Sequence, residues 1–244
     1  QCTEKNDRYP FVNLPLPYPY SALEPYIDTE TMRLHHDAHL GTYIKNLNAA
    51  LAGEPSLQKL TLTELIFSAP RLAQPLGRTI CNNAGGVYNH RLYFDTLTPP
   101  DCREPEPVGE LGTAILRRYG NYGGFYAALK AAALSVFGSG YAFLTAGACG
   151  LSIVTGADQN SPLTGGSFPI LALDVWEHAY YLLHHNLRAD YIDSWLSVVD
   201  WRTADERYRR YIKYCRKNNR QNNIVDCSFG MFGYGDGGGG CTYQ

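Results

Sequence analysis

Apolar residues recur at helical spacing through Met32, Leu40, Ile44, Leu47 and Leu51, so the segment after Asp28 reads as one long helix that stops before Gly53. Asp28 or Thr29 can cap its first turn, because a short oxygen-bearing side chain accepts from the free N–H groups there. A second helical pattern covers 61–68 and a long one covers 77–97, ended by Pro99-Pro100. Before these, Leu14-Pro15-Leu16-Pro17-Tyr18-Pro19-Tyr20 places proline at every second position, which fixes φ and removes donors, so it is extended. Helical patterns return at 108–118 and 121–137. Short β-like runs follow at Tyr141–Ala146, Leu151–Thr155 and Phe168–Asp174, separated by glycine-bearing turns, and helical spacing resumes from 177 to 216.

The order of these elements predicts an α+β protein: an N-terminal long-helix hairpin domain, then an α/β domain with a small three-stranded antiparallel sheet. The expected divisions are an irregular arm at 1–13, the hairpin domain at 14–98, a Pro-rich charged linker at 99–107 and the α/β domain at 108–217. From Asn218 to 244 the chain turns polar and then rich in glycine and aromatics, a composition that cannot bury enough surface to fold alone.

Composition narrows the functional classes. With 45% hydrophobic residues and 18% charged ones, the chain has core material that a disordered protein lacks. A net charge of −2 argues against nucleic acid as a partner, since such proteins carry concentrated positive charge. No apolar run approaches the roughly 18–20 residues a bilayer span requires, so no membrane association is expected. The 19 tyrosines outnumber phenylalanine and tryptophan together, and fit a core with bonded hydroxyls or the lining of a polar cavity. Seven cysteines, Cys2, Cys81, Cys102, Cys149, Cys215, Cys227 and Cys241, form no CxxC pair, and three fall in the last thirty residues. Disulfides tethering the ends would suit a secreted protein in an oxidising compartment, as would a start at Gln1, and the odd count leaves one thiol for a bond between chains. An intracellular protein with reduced cysteines is the alternative.

Two segments concentrate chemistry. His35-His36-Asp37-Ala38-His39 places His35 and His39 on one helix face with His36 about 100° away. Asp174-Val175-Trp176-Glu177-His178 lies where a strand meets a helix, so Asp174 and His178 can converge; equally, Asp174 could cap that helix with Glu177 as its reciprocal partner. Between them, Asn82-Asn83-Ala84-Gly85-Gly86-Val87-Tyr88-Asn89-His90 carries a glycine pair inside a helix, which costs about 1 kcal/mol per glycine against alanine and implies close backbone packing. Three histidines and a carboxylate suit a redox metal such as manganese or iron. Spacing alone does not choose the ligands from the seven histidines.

Together with LPLPYPYSALEPYID, TMRLHHDAHLGTYIKNLNAAL, FGSGYAFL and FPILALDVWEHAYYLLHHNLRADYI, these segments resemble the manganese/iron superoxide dismutase family, in family order over roughly residues 14 to 212. The resemblance implies one metal ion per chain on His35, His90, Asp174 and His178. It places Tyr43 and His39 at a hydrogen-bonded gateway to the cavity, and Arg188 near the substrate funnel. It further implies a homo-oligomer, at least a dimer, in which Glu177 contacts the partner's ligand His178 and Tyr181 reaches the partner's gateway histidine. Trp176 belongs to the same DVWEH segment. Gln159 stands where manganese enzymes carry the glutamine that bonds the bound solvent, while Gly86 occupies the position at which iron enzymes carry it. Manganese is therefore expected, with iron as the alternative, and superoxide as the substrate.

Two departures from the family pattern matter. Tyr141 and Phe94 replace tryptophans that line the cavity, with Tyr93 and Phe143 beside them, so a larger or wetter cavity and a tyrosine hydroxyl in need of a partner are expected. The cysteine-bearing tail is the second. Both would serve a rival reading, an extracellular structural or assembly protein that keeps the fold with weak or lost catalysis. His36, His184 and His185 are expected to be structural or at the surface.

Overall fold

The computed structural model describes residues 6–222. Asp28 caps the first long helix: its Oδ1 accepts from the Thr31 N–H at 2.8 Å, and α1 (Thr29–Arg33) begins there. The expected single helix to Leu51 is present with one change of winding. Residues Leu34–Leu40 form a π-helical stretch before α2 (Gly41–Leu51) resumes the α form. Helical spacing does not reveal this, because the inserted residue shifts side chains by a fraction of a turn. π-Helical segments widen a helix locally and recur at functional sites, and this one holds both His35 and His39.

The described part of the arm is tied down. Asn48 clamps Phe11 by accepting from its N–H at 2.9 Å and donating to its carbonyl at 2.7 Å, and Phe11 is buried in the core. Thr61 begins α3 (Leu62–Ser68) with a reciprocal capping box to Glu64. The long α4 (Leu76–Asp95) packs against α2, α3 and the sheet.

The second half follows the expected order with shifted ends: α5 (Gly109–Tyr119), α6 (Tyr122–Ser135), β1 (Gly140–Gly147), β2 (Gly150–Ala157) and β3 (Phe168–Asp174). The sheet is antiparallel in the order β2-β1-β3, with Tyr141 paired to Asp174 at one end. β1 is central and buried along nearly its whole length, as a strand between two neighbours and under helices must be. The expected helical run from 177 is broken into a 3₁₀ turn (Glu177–Ala179), α7 (Tyr181–His184), α8 (Arg188–Leu196) and α9 (Trp201–Asn222). His185, with φ of 51°, ends α7. α9 continues past position 217 into the polar NNRQNN stretch. Among the described residues no helix is long and apolar enough to cross a membrane.

Candidate metal centre

The glycine pair of α4 permits the closest packing around the site. A Cβ on Gly85 would lie 2.3 Å from the Gln159 carbonyl oxygen, and one on Gly86 would lie 2.5 Å from the Tyr43 ring. The close backbone approach expected for these residues is therefore present, and it brings Tyr43 of α2 and Gln159 of the loop after β2 against the helix that carries His90.

Four elements each deliver one side chain to a common point: His35 from the π-helical stretch, His90 from α4, Asp174 from the end of β3 and His178 from the 3₁₀ turn. One nitrogen or oxygen of each lies within 4.8 Å of all the others. His35 Nε2 is 3.3 Å and His178 Nε2 3.6 Å from Asp174 Oδ2. These atoms and His90 Nε2 are buried, and none has a hydrogen-bond partner. Buried polar atoms without partners are rare and costly in isolation; four aimed at one another fit a cation.

Neighbouring bonds orient the donors. His90 Nδ1 lies 2.7 Å from the Gly86 carbonyl, which can only accept, so the proton sits on Nδ1 and Nε2 offers its lone pair. Asp174 Oδ1 accepts from the Trp176 N–H at 2.8 Å, which leaves Oδ2 for the centre. This short turn takes the place of the alternative reading in which Asp174 caps a helix with Glu177. Glu177 is exposed and does not reciprocate, because the chain enters a 3₁₀ turn instead of an α-helix.

Burial disfavours charge on the histidines. It pulls His35 down to about 4 and His90 well below its ordinary value, so both are neutral and able to donate electrons near neutral pH. Burial pushes the Asp174 carboxyl up, but the contacts with His178 and His35 outweigh it and hold the group below the usual carboxylate range. Three imidazoles and one carboxylate match the donor set of a manganese or iron ion.

Around this centre, Gln159 is buried and donates from Nε2 to the Tyr43 hydroxyl at 3.0 Å. Asn89 supports it, with Nδ2 at 3.2 Å from the Gln159 carbonyl and 3.4 Å from its Oε1. Sequence reasoning missed Asn89, although a polar residue beside His90 in a buried helix was the available signal. His39 stacks on His178 with centroids 4.0 Å apart, but it makes no direct hydrogen bond to Tyr43. The Phe94 ring lies 5.0 Å from that of His35. Tyr141 is fully buried, and its hydroxyl oxygen lies 3.4 Å from His90 Nδ1, where with the proton on Nδ1 it can only accept. Tyr93 bonds Tyr191 through its hydroxyl at 3.2 Å, another contact that the sequence did not suggest.

The remaining residues lie further out. Trp176 donates from Nε1 to the Asp158 carbonyl at 3.2 Å, and its ring lies 5.5 Å from that of His178. Arg188 donates to the Val136 and Gly138 carbonyls at 2.6 and 2.7 Å and to the Tyr180 hydroxyl at 3.2 Å. Tyr181 is exposed. His36 is buried and structural, bonded to Tyr20 at 3.0 Å and to the Leu14 carbonyl at 2.9 Å. His184 touches the Tyr26 carbonyl at 3.2 Å, and His185 is exposed.

The expected disulfides do not form within the described part: no bond joins any two of Cys81, Cys102, Cys149 and Cys215. Their positions leave Cys102 and Cys149 at the surface and Cys215 in the core. Cys2, Cys227 and Cys241, on which most of the tethering argument rested, lie outside the described residues, as does the glycine-rich tail.

Residues 10–98 match the alpha-hairpin domain of iron/manganese superoxide dismutases, and residues 107–207 match the C-terminal domain of the same proteins. The chain is 43% identical over 202 residues to a superoxide dismutase [Mn] of Thermus aquaticus, covering 82% of this chain and 98% of that protein. It is 44% identical over 195 residues to one from Pseudomonas aeruginosa, covering 80% and 95%, and 42% identical over 197 residues to superoxide dismutase [Mn] 1 of Leptolyngbya boryana, covering 80% and 79%. With both halves matched in order and the four donors gathered at one point, the chain belongs to the iron/manganese superoxide dismutase family.

Proposed function

We propose that this chain is a manganese-dependent superoxide dismutase, converting two superoxide anions and two protons to dioxygen and hydrogen peroxide. The observation that carries the reading is the set of four buried, unpartnered donor atoms of His35, His90, Asp174 and His178. A manganese ion held by His35, His90, Asp174 and His178 would supply the one-electron redox couple that the dismutation of superoxide needs. The protein's part is positional. Gly86 O fixes the His90 tautomer, Trp176 N–H fixes the Asp174 carboxylate, and the linked Gln159 amide and Tyr43 hydroxyl hold polar hydrogens beside the centre, where the peroxide needs protons. Arg188 clasps two carbonyls, and its guanidinium favours arrival of a small anion.

Manganese is supported over iron by the space at position 86. In the iron branch a glutamine stands there, and with Tyr43 in its present place not even a Cβ fits. The assembly-protein reading gains no support from the centre, whose ligand set is intact. Metal content per chain, measured beside superoxide turnover, tests the assignment. About one manganese with turnover is expected; stoichiometric iron overturns the metal choice, and metal without turnover overturns the activity.

We also infer a dimer. Tyr181, Leu182, Leu183 and Leu187 are 49%, 53%, 40% and 52% exposed beside the exposed Glu177, an apolar surface that suits burial against a second copy. Light scattering should give twice 27.2 kDa, and Glu177→Ala should weaken association. A monomer at micromolar concentration overturns it. The cysteine count still supports a secreted, oxidised protein, whose disulfides would involve Cys2, Cys227 or Cys241. Alkylation before and after reduction, read by mass spectrometry, should show fewer than seven free thiols in native protein; seven overturns it.

A further inference from the structure

A cavity of about 330 Å³, separate from the metal centre, opens between α4, α9 and the start of β3, with Thr63 of α3 and Asp7 also lining it. Its chemistry is set by the buried Arg207 and the half-buried Arg91. Arg207 is only 7% exposed. One nitrogen, Nη2, donates to the Pro169 carbonyl at 3.0 Å and to the Tyr88 hydroxyl at 3.3 Å, and the guanidinium lies 5.4 Å from the Phe168 ring centre. Its Nε is buried with no hydrogen-bond partner. Arg91 spends its donors on neutral acceptors, the Asn6 carbonyl and side-chain oxygen and the Val12 carbonyl, each at 3.0 Å. Among the described residues no carboxylate lies within ion-pair distance of either guanidinium. Asp7 is the only carboxylate on the wall; it and Asp95 act on Arg91 from beyond ion-pair distance.

A buried, unpaired cation is unfavourable unless an anion meets it. A guanidinium with a free edge favours the planar or tetrahedral oxygens of a carboxylate or phosphate. Leu62, Leu92 and Phe168 supply apolar wall beside Thr63, Tyr88 and Tyr214, and the volume lies at the small end of ligand sites.

We propose that this cavity binds a small organic oxyanion, with its phosphate or carboxylate head on Arg207 and Arg91 and a ring-sized apolar body against Phe168. None of its walls is a metal ligand, so the proposal does not depend on the redox reading.

Titration calorimetry of the intact protein in chloride buffer, with phenyl phosphate, benzoate and inorganic phosphate in turn, tests it. At least one ring-bearing anion should bind saturably at one per chain and more tightly than inorganic phosphate, and the tighter of the two identifies the head group. Arg207→Gln should weaken that binding by about tenfold or more, the loss expected for a charge-assisted contact. Thr63→Trp should fill the cavity and abolish binding with both arginines in place, which carries the test if Arg207→Gln does not fold. Absence of saturable binding by either ring anion, equal binding of inorganic phosphate, or native affinity in Thr63→Trp overturns the proposal.

Discussion

Gln159 and Tyr43 lie 116 positions apart in the chain and meet through one hydrogen bond, from the Gln159 amide to the Tyr43 hydroxyl at 3.0 Å. Burial raises the Tyr43 pKa, so the phenol keeps its proton at neutral pH, and the Gln159 contact opposes that shift only in part. The pair thus presents a fixed set of polar hydrogens beside the metal donors. Gln159→Ala removes that order without touching a ligand. Metal per chain should be unchanged while superoxide turnover falls roughly 10–100-fold, the usual effect of losing an outer hydrogen bond at a metal site. Native turnover in the variant would show that the pair has no part in the reaction.

The same pair depends on a missing side chain. Gly86→Ala would set a Cβ 2.5 Å from the Tyr43 ring, and the ring must shift or the helix must move. Overpacking of this kind costs about 1–3 kcal/mol. At Gly53 a Cβ meets nothing within 4 Å, so Gly53→Ala should leave stability nearly unchanged. Urea melts of the two variants separate tight packing from the general effect of replacing glycine; equal midpoints would contradict the contact.

Much of this was legible in the sequence because it follows from local rules. Asp28 and Thr61 mark helix starts by capping, Pro99-Pro100 marks a stop, and β-like runs marked the three strands within two or three residues of their ends. The convergence of His35, His90, Asp174 and His178 was not local. It needs the antiparallel register that sets Tyr141 opposite Asp174 and the α4 packing permitted by Gly85 and Gly86, and only the family motifs picked these donors from seven histidines. The π-helical winding at Leu34–Leu40 left no mark, since one extra residue per turn hardly alters the apolar pattern. Asp174 allowed two readings, a metal ligand or a helix cap with Glu177; the chain takes a tighter turn, leaves Glu177 in solvent and keeps Asp174 at the centre.

Metal removal should expose how far the centre holds the fold together. Without a cation, the donor atoms of the Asp174 carboxylate and the three imidazoles are buried and unpartnered. A metal that binds only the native state adds about 2.7 kcal/mol when free ion stands at a hundred times its dissociation constant. For a chain of this size that is a melting shift of several degrees. Chelation should lower the melting temperature and added manganese restore it, and Asp174→Asn should bind little metal and show no such response. A stoichiometric metal content in Asp174→Asn would remove Asp174 from the ligand set.

Acid should weaken the hairpin domain at the α3 cap before it affects packing. Glu64 accepts from the Thr61 N–H at 2.7 Å and from its hydroxyl at 2.9 Å, and those bonds, the backbone one foremost, hold its carboxyl below the ordinary value of 4.5. A folded pKa below the unfolded one means that the stabilisation is complete at neutral pH and disappears as pH falls through the folded value. The Glu64 side chain is 40% exposed, so solvent screening keeps the charge's share under about 1 kcal/mol. Glu64→Gln should therefore melt slightly below the native protein at neutral pH, and the gap should close as the pH drops below 4.5. Melting curves of both proteins across that range check the sign: a gap that widens in acid would place the stabilisation in the neutral side chain and contradict the charged cap.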